Sequence, residues 1–261
     1  MNEIIDISLI QLITAYIFVL ILLFIIKKEN ISNEWQIIIS TFRMTIQLVL
    51  VGFVLTYIFD NPSIFLSLLI LLLMEIFAIQ NIYSRIDKKL SINLKKVIAI
   101  AIFIGTSISL FYFILIVINL KPWYQPQYFI PLAGMLIGNS MTGISLGIEG
   151  LISGIKDNTQ MIENALMLGG KPKIIIKGIS SRAFYNAILP TINSMLGMGI
   201  VFLPGMMTGQ ILAGAAPMIA IKYQIAIMLG ILGSVTLSVY LMIKWGAKSF
   251  FNDRAQLEID L

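Results

Sequence analysis

"SIFLSLLILLLM", Ser63–Met74, decides the fold class. Its apolar residues follow one another without alternation. A strand of a membrane barrel alternates polar and apolar residues, because its side chains face lumen and lipid by turns. A membrane helix instead needs about 20 predominantly apolar residues to cross a hydrocarbon core of roughly 30 Å. The run continues to Tyr83, long enough for one crossing. Lipid offers the backbone no hydrogen bonds, so each peptide group must be satisfied inside its own helix. The predicted class is all-α and membrane-spanning.

Composition agrees along the whole chain. Of 261 residues, 58% are hydrophobic and only 12% charged, with a mean hydropathy of +0.94. Soluble domains carry about 25% charged residues. Seven apolar segments are predicted to span: Ile4–Ile26, Trp35–Phe59, Ser63–Tyr83, Val97–Asn119, Tyr128–Leu151, Ala183–Leu212 and Pro217–Trp245. The first is preceded by Glu3 and by no basic stretch, and no A-x-A site follows it, so it reads as a retained span and not a signal peptide. With no Ser/Gly/Pro-rich linker or internal repeat, the chain reads as one domain over 1–261.

The net charge of +5 follows the membrane and not a nucleic acid. Lys27, Lys28, Arg85, Lys88, Lys89, Lys95 and Lys96 fall in the connections after the first and third spans. Lys156, Lys171, Lys173, Lys177 and Arg182 fall after the fifth, and Lys244, Lys248 and Arg254 in or beside the tail. The opposite side holds only Lys121 and Lys222, and Arg43 lies within a span. Basic connections stay cytoplasmic. The N-terminus is therefore expected outside and the C-terminus in the cytoplasm of a cell-membrane protein.

There is no cysteine and no histidine. This excludes disulfides, thiolate or imidazole metal sites and any Ser-His or Cys-His nucleophilic pair. With no paired carboxylates at one depth, an intramembrane enzyme has little support. No G-x-x-x-x-G-K-[ST] loop is present to cradle nucleotide phosphates; "GAKS" at Gly246–Ser249 lacks the glycine before the lysine. The chain is expected to bind no cofactor itself.

The large cytoplasmic connection, about 152–182, is too long for a structureless loop. It contains "NTQMIENALMLGG", helix formers followed by a glycine stop. Glu163, Ala165 and Gly169 stand there at the spacing E-x-A-x-x-x-G. Such a helix could be a rigid knob that receives force from a cytoplasmic motor, or an ordinary amphipathic surface helix.

Polar residues inside the spans are the candidates for a transport path. Arg43 and Glu75 both lie about 12 Å below the cytoplasmic surface, eight residues in at about 1.5 Å each. Equal depth on consecutive antiparallel helices suggests an ion pair, either structural or part of a path. Gln47 continues the polar face of Arg43. In "AGMLIGNSMTG", Ala133–Gly143, the glycines suit close helix approach. Asn139 and Thr142 share a face and serve either as interhelical glue or as path ligands; for Ser140 glue is the better reading. The sixth span carries Pro190 and Pro204 and would be about 45 Å long as one helix. A break is expected at Pro204–Gly205, beside Met206 and Met207. Among 14 methionines these read as core fillers unless other ligands converge.

"EnAlmLGgkP" resembles the coupling motif of ABC-transporter permeases. "IPLAGMLIGNSMTG", "LPGMMTGQILAGAAP" and "AIKYQI" resemble the FetB-like permeases, a family of bacterial iron exporters and relatives linked to aluminium tolerance in plants. The likeness runs from "TFRMTIQLVLVGFVL" to the last helix. It implies a homodimeric permease that exports a metal ion, iron foremost, with ATP used by a separate ATPase subunit docked through Glu163, Ala165 and Gly169. Importer-type permeases carry Leu-Pro soon after the coupling glycine; here that pair comes only at Leu189–Pro190. The rival is a self-sufficient secondary cation transporter or channel that uses Glu75.

Overall fold

The computed structural model describes residues 6–31, 34–86, 90–252 and 254–258. Ile4, where the first span was expected to begin, and Lys88 and Lys89 lie outside them. Every regular element among the described residues is helical: α1 Leu9–Ala15, α2 Ile17–Lys28, α3 Glu34–Asp60, α4 Ile64–Arg85, α5 Ile92–Tyr112, α6 Pro126–Asp157, α7 Thr159–Met167, α8 Pro172–Ile175, α9 Lys177–Gly197, α10 Gly205–Leu212 and α11 Pro217–Gly246. Two isolated bridges are the only strand-like pairings among these residues. The all-helical expectation holds.

Local chemistry sets the helix ends. Pro126 and Pro217 occupy first-turn positions of α6 and α11, where the missing N–H has no intrahelical partner to lose. The Ser91 hydroxyl accepts the Leu94 amide at the start of α5. Six helices are long and apolar enough to cross a membrane: α1 with α2, then α3, α4, α5 with its π-helical end, α6 and α11. The expected span Ala183–Leu212, with its break, is two helices, α9 and α10. The 21 residues of α9 are long enough, but Ser180, Ser181, Arg182 and Asn186 keep it less apolar than the six. The chain leaves helix at Met198, six residues before Pro204, because Gly199 adopts φ +87° and its amide bonds the Phe202 carbonyl at 2.9 Å. Pro204 then precedes α10, so the proline closes the break and the glycine opens it.

Contacts divide the described residues into two compact units. The first holds those of Met1–Pro62 with Leu212–Gly214. In it α2 packs on α3, and the Tyr16 and Thr45 hydroxyls meet at 2.5 Å. The second holds Ser63–Ile211 with Ala215–Leu261. Its centre is α6 and α11, which pack on each other; both also contact α5 and α9, and α6 contacts α4. Ile144, Leu136, Val235 and Val239 are fully buried there.

Candidate transport path and coupling surface

Glu75 lies on the buried stripe of α4, with Ser67, Leu71, Ala78 and Ile82. It is 2% exposed. A charge on the lipid side would cost several kcal/mol, roughly 2.5 or more on insertion scales, and the inward placement avoids that. Thr106 of α5 donates its hydroxyl to Glu75 Oε1. The same hydroxyl lies 2.7 Å from the Ile102 carbonyl, and with one proton it serves one acceptor at a time. Glu75 Oε2 is buried without a hydrogen-bond partner among the described residues, as is Ser238 Oγ on α11. A buried unsatisfied polar group costs about 1–3 kcal/mol, so this corner of the helix bundle has acceptor capacity that packing does not use. Arg43 and Gln47 lie on α3, in the first unit, and are exposed in the isolated chain.

Gly105 brings α5 and α11 together at this point. A Cβ there would lie 2.7 Å from Ser238 Cα and 2.8 Å from its amide nitrogen. Backbone cannot yield as a flexible side chain does, and overpacking costs about 1–3 kcal/mol. Gly105→Ala is therefore expected to lower the melting temperature in detergent, whereas Gly138→Ala should leave it unchanged. Equal effects of the two substitutions in a thermal-shift assay would contradict this packing.

The glycines of "AGMLIGNSMTG" divide by face. Gly143 is seated against Val235 and, a turn further on, Gly147 against Met242 and Ala187. A Cβ on Gly134 would lie 3.0 Å from the Met74 methyl. Gly138 has nothing within 4 Å among the described residues of the chain. Ser140 is fully buried and its hydroxyl meets that of Ser234 on α11 at 2.9 Å. Asn139 instead faces outward, with its amide bonded to the Met135 carbonyl at 2.7 Å. The Thr142 hydroxyl bonds the Gly138 carbonyl at 3.2 Å. Spacings of three and four align Asn139, Thr142, Leu146, Glu149 and Ser153 on this face. At its far end Arg85 approaches Glu149 at 4.0 Å, both about half exposed, beside a cavity of about 550 Å³ that also reaches Ser153 and Asn186. Such an exposed pair contributes about 0–1 kcal/mol.

Met206 is half-buried and Met207 buried. No group of three or more acidic, His or Cys residues suited to a metal is found among the described residues. Gln224, buried on α11, points its amide at Met198 Sδ, 3.7 Å away, where the chain leaves helix. Gln224, although it lies in "AIKYQI", and Thr106, Ser238 and the Arg85–Glu149 pair are not singled out by the sequence. A buried-side amide within an apolar run was the one available signal.

The helix expected in the large connection is α7. Ile162 is fully buried and anchors it. Gly169 takes φ +84°, its amide bonds the Leu166 carbonyl and the Gly170 amide bonds the Ala165 carbonyl, both at 2.9 Å. This paired closure satisfies the last carbonyls of the helix and needs a left-handed residue; a side chain there would cost about 1–2 kcal/mol. The motif glycine is thus a helix terminator. Glu163 is exposed and Ala165 half-buried. The terminator turns Met167 and Leu168 outward, 84% and 90% exposed.

Six apolar spanning helices with a buried carboxylate and a polar outer face describe a multi-pass, all-helical membrane protein. The chain matches the family described as "Uncharacterised protein family (UPF0014)" over residues 9–251, and it belongs to that family. It is 36% identical to UPF0014 membrane protein YjkA of Bacillus subtilis, over 93% of this chain and 95% of that one. It is 34% identical to Protein ALUMINUM SENSITIVE 3 of Arabidopsis thaliana, over 94% and 88%. With the "Probable iron export permease protein FetB" of Escherichia coli it shares 32% identity, over 94% and 93%. No solved structure matches.

Proposed function

We propose that this chain is the membrane permease subunit of an ABC transporter in the cell membrane, that it works as a homodimer, and that it exports a metal ion, iron foremost. The observation that carries the reading is α7: a short helix with a fixed end that presents Met167 and Leu168 to solvent, on a chain without a phosphate-binding loop. An exposed apolar tip on an ordered helix suits a protein groove. ATP binding and hydrolysis by the separate ATPase would bias the permease between its two side-open states. The name of the Escherichia coli relative supports iron as the cargo.

Both units and all seven expected crossings, with α9 and α10 as the broken one, serve one permease domain. The outward face of α6 supports the dimer, because Asn139, Thr142 and Glu149 are unsuited to lipid and a second copy would enclose them around a polar path. Gln47, Met206 and Met207 stay separate path candidates, while Ser140, buried with its hydroxyl on that of Ser234, is better suited to holding α6 and α11 together. The reading is tested by co-expression with an ABC ATPase from the same genome: the two chains should purify together and the permease should stimulate ATP hydrolysis. A permease that transports the ion alone would favour the rival, a secondary cation transporter working through Glu75.

Arg43 is proposed to pair with Glu75 on the ground of their equal predicted depth on consecutive helices. Removing one member of a buried pair costs about 3–5 kcal/mol because the other charge is stranded. Glu75→Gln should then be markedly less stable than the double substitution Arg43→Gln with Glu75→Gln. Additive effects in this double-mutant cycle, read by melting in detergent, would contradict the pair.

A further inference from the structure

A second cavity, about 990 Å³, opens between α8, the start of α9 and the end of α11. Lys171, Lys173, Lys177, Lys244 and Lys248 line it, and no acidic side chain does so among the described residues. The wall below the lysines is apolar: Phe184, Tyr240 and Ile243. Lys244 Nζ lies 5.3 Å from the centre of the Tyr240 ring, which holds the ammonium at the boundary between the two zones. Lys177 is the first residue of α9, Lys244 lies in the last turn of α11 and Lys248 just beyond it. The ends of long apolar helices leave the hydrocarbon at headgroup level, and lysines there reach toward it.

We propose that this cavity binds one anionic phospholipid, with its phosphate on Lys177, Lys244 and Lys248 and an acyl chain along Phe184, Tyr240 and Ile243. Like-charged ammonium groups gathered around one opening repel one another, and a phosphate relieves that repulsion. A small anion would use the lysines and leave the apolar wall wet; a zwitterionic lipid would bring its own cation against them. Only an anionic amphiphile satisfies both zones. The site does not depend on the ABC reading, since it needs only the bilayer and these helix ends.

The test uses the full-length permease in detergent, with native mass spectrometry and melting as readouts. Phosphatidylglycerol should be retained in preference to phosphatidylcholine, at one molecule per chain, and should raise the melting temperature. Substituting glutamine for Lys177, Lys244 and Lys248 together should weaken retention by about 100-fold, roughly fivefold per lysine near a membrane surface, with melting in phosphatidylcholine unchanged. Competition between the two lipids on the unaltered protein supplies a result that does not depend on the variant folding. Equal retention of both lipids would overturn the proposal. So would equal protection by inorganic phosphate, which would mark a small-anion site. A variant that keeps phosphatidylglycerol but loses the ATPase would assign the lysines to a protein partner and overturn it as well.

Discussion

Leu168→Glu is expected to abolish the stimulation of ATP hydrolysis by the permease while leaving its melting temperature unchanged. Leu168 is 90% exposed, so the folded chain loses no packing. A docked ATPase groove would have to bury the new carboxylate, and an unpaired buried charge is costly enough to prevent seating. Gly169→Ala forms an informative companion. It keeps the apolar tip but strains the left-handed turn at φ +84°, and should reduce stimulation through misdirection of Met167 and Leu168. The measurement is ATPase turnover of the reconstituted pair. Full stimulation by Leu168→Glu would remove α7 from the interface.

Asn139→Leu is the second large effect. The substitution removes a polar amide from the outward face of α6 at nearly constant volume. The amide already bonds the Met135 carbonyl within its own helix, so packing inside the chain does not depend on it. If the face lines the path between two copies, transport per molecule should fall to background at normal membrane abundance. If Asn139 holds the dimer together instead, dimer yield should fall while each surviving dimer transports at the normal rate. Abundance, dimer fraction and specific transport measured on the same preparation separate the two.

The fold class was legible because it depends on uninterrupted apolar runs such as Ser63–Met74, and lipid leaves such runs one backbone solution. The end of α7 was legible for a similar reason: Gly169 and Gly170 form their closure with residues three and five positions earlier, so the signal is local. The break after α9 was only half legible. Pro204 marks where helix resumes, but the exit at Gly199 rests on a positive φ that composition does not single out among several glycines. Contacts between helices were not legible at all. Gly138 and Gly143 belong to one glycine-rich stretch, yet Gly143 is seated against Val235 and Gly138 faces open space. Helix rotation decides this, and that is set by packing. The Thr106 partner of Glu75, 31 positions away, was hidden for the same reason.

The central claim is ATP-driven metal export through this chain. It is tested most directly in proteoliposomes that carry the permease with its ATPase facing outward and ferrous iron outside. The account predicts that iron accumulates in the lumen only when ATP and the ATPase are both present, and that it stays outside when either is omitted. Iron entry at the same rate without ATP, or driven by a proton gradient with the permease alone, would contradict it.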